Sequence, residues 1–330
     1  MQIIPWLLLT SFHALFHHAA AVIPGPATKL SALPNLPDRR FKVKVDHLTP
    51  FIEEPTCRMI MLVAMRELAL MDFEGDLIEP GARTYAHPDY PGATALVSPA
   101  AGIAHASIRF AIWTLYEAMR DTLSIPICGR TYYVGTWEGR DIVHVRILQQ
   151  SSLTTTQNKT VDTQVAQSAG AKIALPSVST NGSFSFATTG LSGMPNVGDS
   201  DLHAEITYLS KAMDQRDIFM TAFGIMLRLA PTNRQDLGVF KSIDISITTE
   251  VISIFNRAAR SIPYVMSSGD LIGFVAYLPE HLLREKKWQE MDIALTDNEF
   301  PGVVIARGSI RVGRPGGPPS NSMIKIFEDS

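Results

Sequence analysis

A chain of 330 residues with 46% hydrophobic and 18% charged side chains has enough apolar material for one large or two ordinary cores, which excludes an intrinsically disordered polymer. Its formal charge of −3 provides no basic face to displace counterions from a phosphate backbone, so a general nucleic-acid binder is also excluded.

The chain opens with an apolar run, Ile3 to Phe16, too short to span a bilayer and followed by Ala19-Ala20-Ala21, a small-residue cleavage pattern. Residues 1–21 are therefore expected to be a signal peptide, and the mature protein to be secreted. His13, His17 and His18 have the spacing of metal ligands but fall in the segment expected to be removed. No later run is long and apolar enough for a membrane span, and no cofactor or metal site is expected.

Residues 22–40, rich in proline, read as an extended lead-in. A first module is expected over 41–148. Phe41, Val43 and Val45 alternate with polar residues, the period of a half-buried strand. Thr49-Pro50 reads as the start of a first helix, apolar all round from Met59 to Ala64 and so buried.

A long loop is expected over Met71 to Gly92, then a short strand at Thr94 to Ser98. Within that loop Asp72, Glu74, Asp76 and Glu79 stand at near-alternate positions but lack the spacing of a calcium-binding EF-hand loop, which favours a solvated turn. Ile108, Ala111, Ile112, Leu115, Tyr116 and Met119 then form one continuous helical face. Thr131–Trp137 and Asp141–Leu148 read as a hairpin turning at Glu138-Gly139-Arg140. Cys57 and Cys128 are the only cysteines, and in an oxidising compartment they are expected to form a disulfide.

Residues 149–201, rich in Ser, Thr and Gly, are expected to be a linker. It holds two glycosylation sequons, at Asn158 and Asn181, and one short alternating strand around Phe184 and Phe186. A second module is expected over 202–312, before a flexible tail at 313–330. Adding 161 to Leu48, Met59, Met65, Leu68 and Ala69 lands on identical residues, Leu209, Met220, Met226, Leu229 and Ala230. Val251, Ile254, Phe255, Ala258, Ala259 and Ile262 reproduce the six-position face and read as the second helix of that module. Ile272-Gly273 reads as a following strand, and Glu280 to Lys287 as a short solvated helix. Met291–Leu295 and Val303–Val312 read as closing strands, with Trp137 and Trp288 as strand-packing residues. The fold class expected is α+β: two tandem similar modules, each a mixed, mostly antiparallel sheet with two helices on one face.

The G-x-S-x-G, H-E-x-x-H, Walker and G-x-G-x-x-G signatures do not occur in the sequence. His87 and Asp89, in a Pro-bounded turn, and His105 are the candidate acid–base residues. Trp113, one helical turn from Arg109 and Glu117, is the candidate for ligand stacking or an interface. The alternating first strand, Ala-Ile-Trp-Thr-Leu-Tyr at 111–116 and Tyr-Val-Gly-Thr-Trp at 133–137 resemble secreted proteins of filamentous fungi, a resemblance that implies no particular activity. The expectation is a secreted glycoprotein of binding or assembly type, directed at a glycan, a cell surface or a protein. The alternative is an extracellular or secretory-route enzyme, a hydrolase or cyclase-like biosynthetic protein with a pocket between the modules.

Overall fold

The first described element, β1 (Phe41–Phe51), follows the alternating pattern only at its start, with Phe41 buried, Val43 half-buried and Lys42 and Lys44 exposed, while Val45 is exposed as well. It runs up to the first helix, α1 (Glu54–Ala69), which begins five residues later than Thr49-Pro50 suggests. Pro55 in the first turn has no N–H to leave unpaired, and Glu54 sits at the positive end of the helix dipole. Three strands follow: β2 (Asp76–Ile78), β3 (Arg83–His87) and β4 (Tyr90–Pro99). The expected loop over 71–92 is thus largely strand, because Tyr85 and His87 turn inward while Arg83, Thr84 and Ala86 face solvent.

After β5 (His105–Ser107) comes α2 (Ile108–Ser124), capped by the Ser107 hydroxyl, which accepts from the Arg109 N–H. The six expected face residues of α2 are all buried. β6 (Gly129–Trp137) and β7 (Arg140–Gln149) make the expected hairpin. Glu138 and Gly139 have φ of 50° and 82°, the left-handed pair that a tight two-residue turn requires.

The remaining elements are β8 (Gly182–Thr188), β9 (Ser200–Ala212), α3 (Gln215–Leu229), β10 (Val251–Arg257), α4 (Ser268–Glu285), β11 (Gln289–Asp297) and β12 (Val304–Val312). This computed structural model describes residues 37–78, 81–125, 128–149, 182–188, 200–232, 251–257, 267–297 and 303–312. The expected signal peptide and C-terminal tail, most of the linker, and both sequon asparagines lie outside the described residues.

Three expectations for the second half are corrected. Val251–Arg257 is a strand, not a helix: Val251, Ile252 and Ile254 are β-branched, and the short run satisfies a period of two as well as one of 3.6. Ile272-Gly273 lies inside α4, not in a strand. The helix starts at a capping box, in which the Ser267 hydroxyl accepts from Asp270 N–H and the Asp270 carboxylate accepts from Ser267 N–H. Glu280 to Lys287 is not a separate solvated helix: Glu280 and His281 are buried in the C-terminal half of α4, which ends at a left-handed Lys286 with φ of 54°.

The fold is mixed α+β, with four α-helices and three sheets among the described residues. Every strand pairing among the described residues is antiparallel. One five-stranded sheet has the order β1-β6-β7-β4-β3, the other β10-β12-β11-β9-β8, and β2 pairs with β5 separately. The four strands β1, β4, β6 and β7, which precede, separate and follow α1 and α2, lie side by side as β1-β6-β7-β4. The strands that precede, separate and follow α3 and α4 lie as β9-β11-β12-β10. The four helices fill the space between the two large sheets, with α1 and α2 against the first sheet and both touching α3. In α3 every residue from Ile218 to Leu227 is buried, so this helix is enclosed on all sides.

Phe41, Phe110, Trp113 and Trp137 form an aromatic cluster at one end of the first sheet, with Arg40 stacked on Trp137 at 4.3 Å. Trp288 is half-buried and tilts against Phe219 of α3.

At Gly135 of β6 the first sheet and α2 approach closely. A Cβ there would lie 2.7 Å from Val143 Cγ1, 3.0 Å from Phe41 Cζ and closer still to the Thr114 hydroxyl. Gly135→Ala should therefore cost about 1–3 kcal/mol of stability through overpacking, measurable by urea unfolding.

Candidate functional site

β3 carries Tyr85 and His87 on its inner face, two residues apart, and α4 presents Tyr277, Glu280 and Arg284 on one helical stripe. The two meet. His87 Nε2 lies 3.5 Å from Glu280 Oε2, and the side chains are only 6% and 7% exposed. The Asp89 N–H donates to His87 Nδ1 at 3.1 Å, which leaves the imidazole proton on Nε2, facing the carboxylate. The other Glu280 oxygen is bound by Arg284, whose guanidinium also reaches Asp89 at 2.5 Å and donates to the Tyr277 hydroxyl at 3.5 Å.

Burial alone would lower the Arg284 pKa, but Glu280, Tyr277 and Asp89 outweigh it and hold the guanidinium above its ordinary value. Burial, reinforced by the Glu280 charge, raises the phenols of Tyr90 and Tyr277. The neighbouring His281 turns towards the second sheet, where its Nε2 is 3.5 Å from the Tyr208 hydroxyl, and burial lowers its pKa. α4 thus joins both sheets through adjacent polar residues.

Chemically, this network is closed. Both His87 nitrogens and both Glu280 oxygens are committed within it, so the ring presents no lone pair to a substrate proton. His87 belongs to β3 and not to a free Pro-bounded turn, and it is buried because it lies on the inner face of that strand, while the Asp89 side chain is 58% exposed. Tyr85, beside His87, is also buried, and its hydroxyl has no hydrogen-bond partner among the described residues.

His105 does not join this network. It lies on β5, exposed, 4.0 Å from Asp76. Glu74 pairs with Arg109 at 3.3 Å, and Asp72 accepts from the Glu74 N–H, so these carboxylates close their own turn. No three His, Cys, Asp or Glu residues converge to hold a metal ion among the described residues. Trp113 is buried within the aromatic cluster, with its ring set edge-on to Phe41 and Phe110. Cys57 and Cys128 form the expected disulfide, tying α1 to the chain just ahead of β6.

A second polar group, not anticipated from sequence, lies where β1 and β6 meet the C-terminal end of α2. His47 places Nε2 3.3 Å from Asp121 Oδ2 and Nδ1 3.3 Å from the Thr131 hydroxyl. Tyr133 donates to the same Asp121 oxygen at 3.3 Å and bonds Thr122 at 3.1 Å. Burial pushes the Asp121 carboxyl up, opposed by His47 and the Tyr133 hydrogen bond. The order hydroxyl, imidazole, carboxylate matches a nucleophilic triad. The Thr131 proton, however, is given to the Gly129 carbonyl at 2.9 Å, which leaves the hydroxyl inactivated as it stands. His47 and, to a lesser extent, Asp121 are open to solvent in this group, with side chains 42% and 25% exposed.

No protein-family model matches the chain, and no curated protein or solved structure matches it. No helix among the described residues is long and apolar enough to cross a membrane.

Proposed function

We propose that this protein is an exported glycoprotein, made of two tandem copies of one strand–helix module, that acts by binding or assembly rather than by turnover. The observation that carries the reading is the edge strand β1, which pairs on one side only among the described residues and carries three exposed apolar side chains, Val45 at 40%, Leu48 at 47% and Phe51 at 63%. Surfaces of this kind mark contact with another molecule. The closed charge network of His87, Glu280 and Arg284 is consistent with a structural use of its titratable groups.

The duplication is supported by the matching strand orders and by a nearly constant offset. α1 and α3 start at 54 and 215, α2 and α4 at 108 and 268, and β6 and β11 at 129 and 289. Export is supported by the apolar leader and by a disulfide that persists only in an oxidising compartment. The sequons at Asn158 and Asn181 support glycosylation. Origin among the secreted proteins of filamentous fungi is part of the same proposal.

The test is to purify the protein from culture medium, measure its mass before and after enzymatic deglycosylation, and assay it by light scattering and by glycan and protein pull-down. An assembled or ligand-bound glycoprotein is expected. A strict monomer without glycan or ligand would overturn the reading.

The alternative, a hydrolase or cyclase-like enzyme of the secretory route, is favoured by His47 between Asp121 and Thr131. Turnover of ester, glycoside or peptide substrates that is lost in His47→Gln would replace the binding reading with this one.

A further inference from the structure

The backbone of β1 dictates which of its groups face outward. Glu138 N–H donates to the Arg40 carbonyl at 3.2 Å, extending the register in which Phe41 faces Trp137. Directly opposed pairs in an antiparallel ladder alternate between bonded and non-bonded. Lys42, Lys44, Asp46 and Leu48 therefore spend their N–H and C=O groups on β6, whereas Val43, Val45 and His47 aim theirs off the sheet. The Phe41 N–H is already closed by the Asp38 carbonyl. Among the described residues β6 is the only strand paired with β1. The outward backbone groups of 43, 45 and 47 and the exposed Val45 and Leu48 lie on the same segment.

The structure assigns this edge to a second copy of the same chain, paired antiparallel about a two-fold axis at Val45. This inference rests on the binding-or-assembly reading and names its partner. In that register Val43 faces His47 of the other copy and Val45 faces Val45, and the outward groups close up to about six hydrogen bonds. On the opposite face Lys44 stands directly across from Asp46 of the other copy, twice by symmetry, and the Lys42 stem lies against Leu48.

Charge selects this register. Moving the axis to Val43 sets Lys42 against Lys44, and moving it to His47 sets Lys44 against Pro50 and Asp46 against Leu48. The Val45 axis pairs opposite charges across the seam without setting like charges against each other, as the axes at Val43 and Lys44 do. Lys44 has an intrachain partner, Asp141 at 2.7 Å, but the pair is exposed and weak, with side chains 63% and 47% accessible. The joined edges would make one continuous sheet from the two five-stranded ones and would remove the free edge of β1.

The experiment is sedimentation equilibrium of the full chain over a concentration series, for the native protein and for Lys44→Asp, Asp46→Lys and the double exchange. Either single reversal turns two attractive pairs into two repulsive ones, so dimer affinity should fall by about tenfold or more. The double exchange restores opposite charges across the axis and should restore the dimer, although it leaves Lys44→Asp facing Asp141 within each chain. Thermal melting of each variant confirms that the fold survives.

A dimer indifferent to both reversals overturns this seam and leaves assembly through another surface. A native monomer that still captures a glycan or protein overturns self-pairing but not the binding reading. A native monomer that captures nothing overturns both.

Discussion

Glu280→Ala is expected to lower the unfolding free energy by about 1–3 kcal/mol, the range for leaving a buried hydrogen-bond donor without its acceptor. The size follows from burial on both sides: His87 and Glu280 are 6% and 7% exposed. Truncation leaves the His87 Nε2–H facing no acceptor inside the protein, and it strips the nearest carboxylate from Arg284. Asp89 still holds Arg284 at 2.5 Å, so that guanidinium is not left wholly alone.

Glu280→Gln keeps the volume and an acceptor oxygen and should cost much less. A double-mutant cycle with His87→Ala isolates the pair, because each single change removes the same contact. Urea denaturation is the measurement. A loss below about 1 kcal/mol for Glu280→Ala would mean that water reaches the site and the network is not the clamp between β3 and α4 described above.

The other large effect is expected from Cys57→Ala/Cys128→Ala. The disulfide closes a stretch with a sequence separation of 71, and chain-entropy arithmetic for a loop of that length gives about 4 kcal/mol at room temperature. For a chain of this size that corresponds to a fall in Tm of roughly 6 °C. Both sulfurs are buried, and alanine leaves only a small void, so most of the loss should come from the freed unfolded chain. The Ile52 N–H bond to the Cys128 carbonyl at 2.9 Å remains to hold the two segments together in the folded state. A reductant should reproduce the shift in the native protein and leave the double variant unchanged. A variant as stable as the native protein would mean that the unfolded chain is already compact across this loop.

The elements most legible from sequence were those whose period extends over several turns. Ile108 to Met119 marks α2 without ambiguity, and the 161-residue correspondence carries the α1 pattern onto α3. Short apolar runs were less legible. Val251, Ile254 and Phe255 open a six-position helical face that continues past Arg257, yet β-branching and a length of seven residues suit a strand at Val251–Arg257 equally well. The discriminating signal lay further on, in Ser267-x-x-Asp270 followed by Leu271, Ile272, Phe274 and Val275. Pro279 inside α4 obscured it, since a proline usually ends a helix.

The polar networks were not legible from sequence at all. Asp89 and Arg284 are 195 residues apart, and nothing local in either segment announces the other. His87 could be singled out for its neighbours, but its partner Glu280 sat in a stretch whose charges suggested solvent. His47, Asp121 and Thr131 come from a strand, a helix end and another strand. Only the strand register, which places His47 opposite Thr131, brings two of them together.

The enclosure of α3 bears on how the chain is made. The apolar flanks of α1 and α2 that rest on α3 have no cover until that helix emerges, and the two segments begin at 54 and 215. At ordinary ribosome speeds that interval is on the order of ten to thirty seconds. Throughout this lag the nascent amino-terminal portion displays greasy helices to its surroundings. Its biogenesis should therefore depend on chaperone shielding far more than the stability of the finished molecule would suggest.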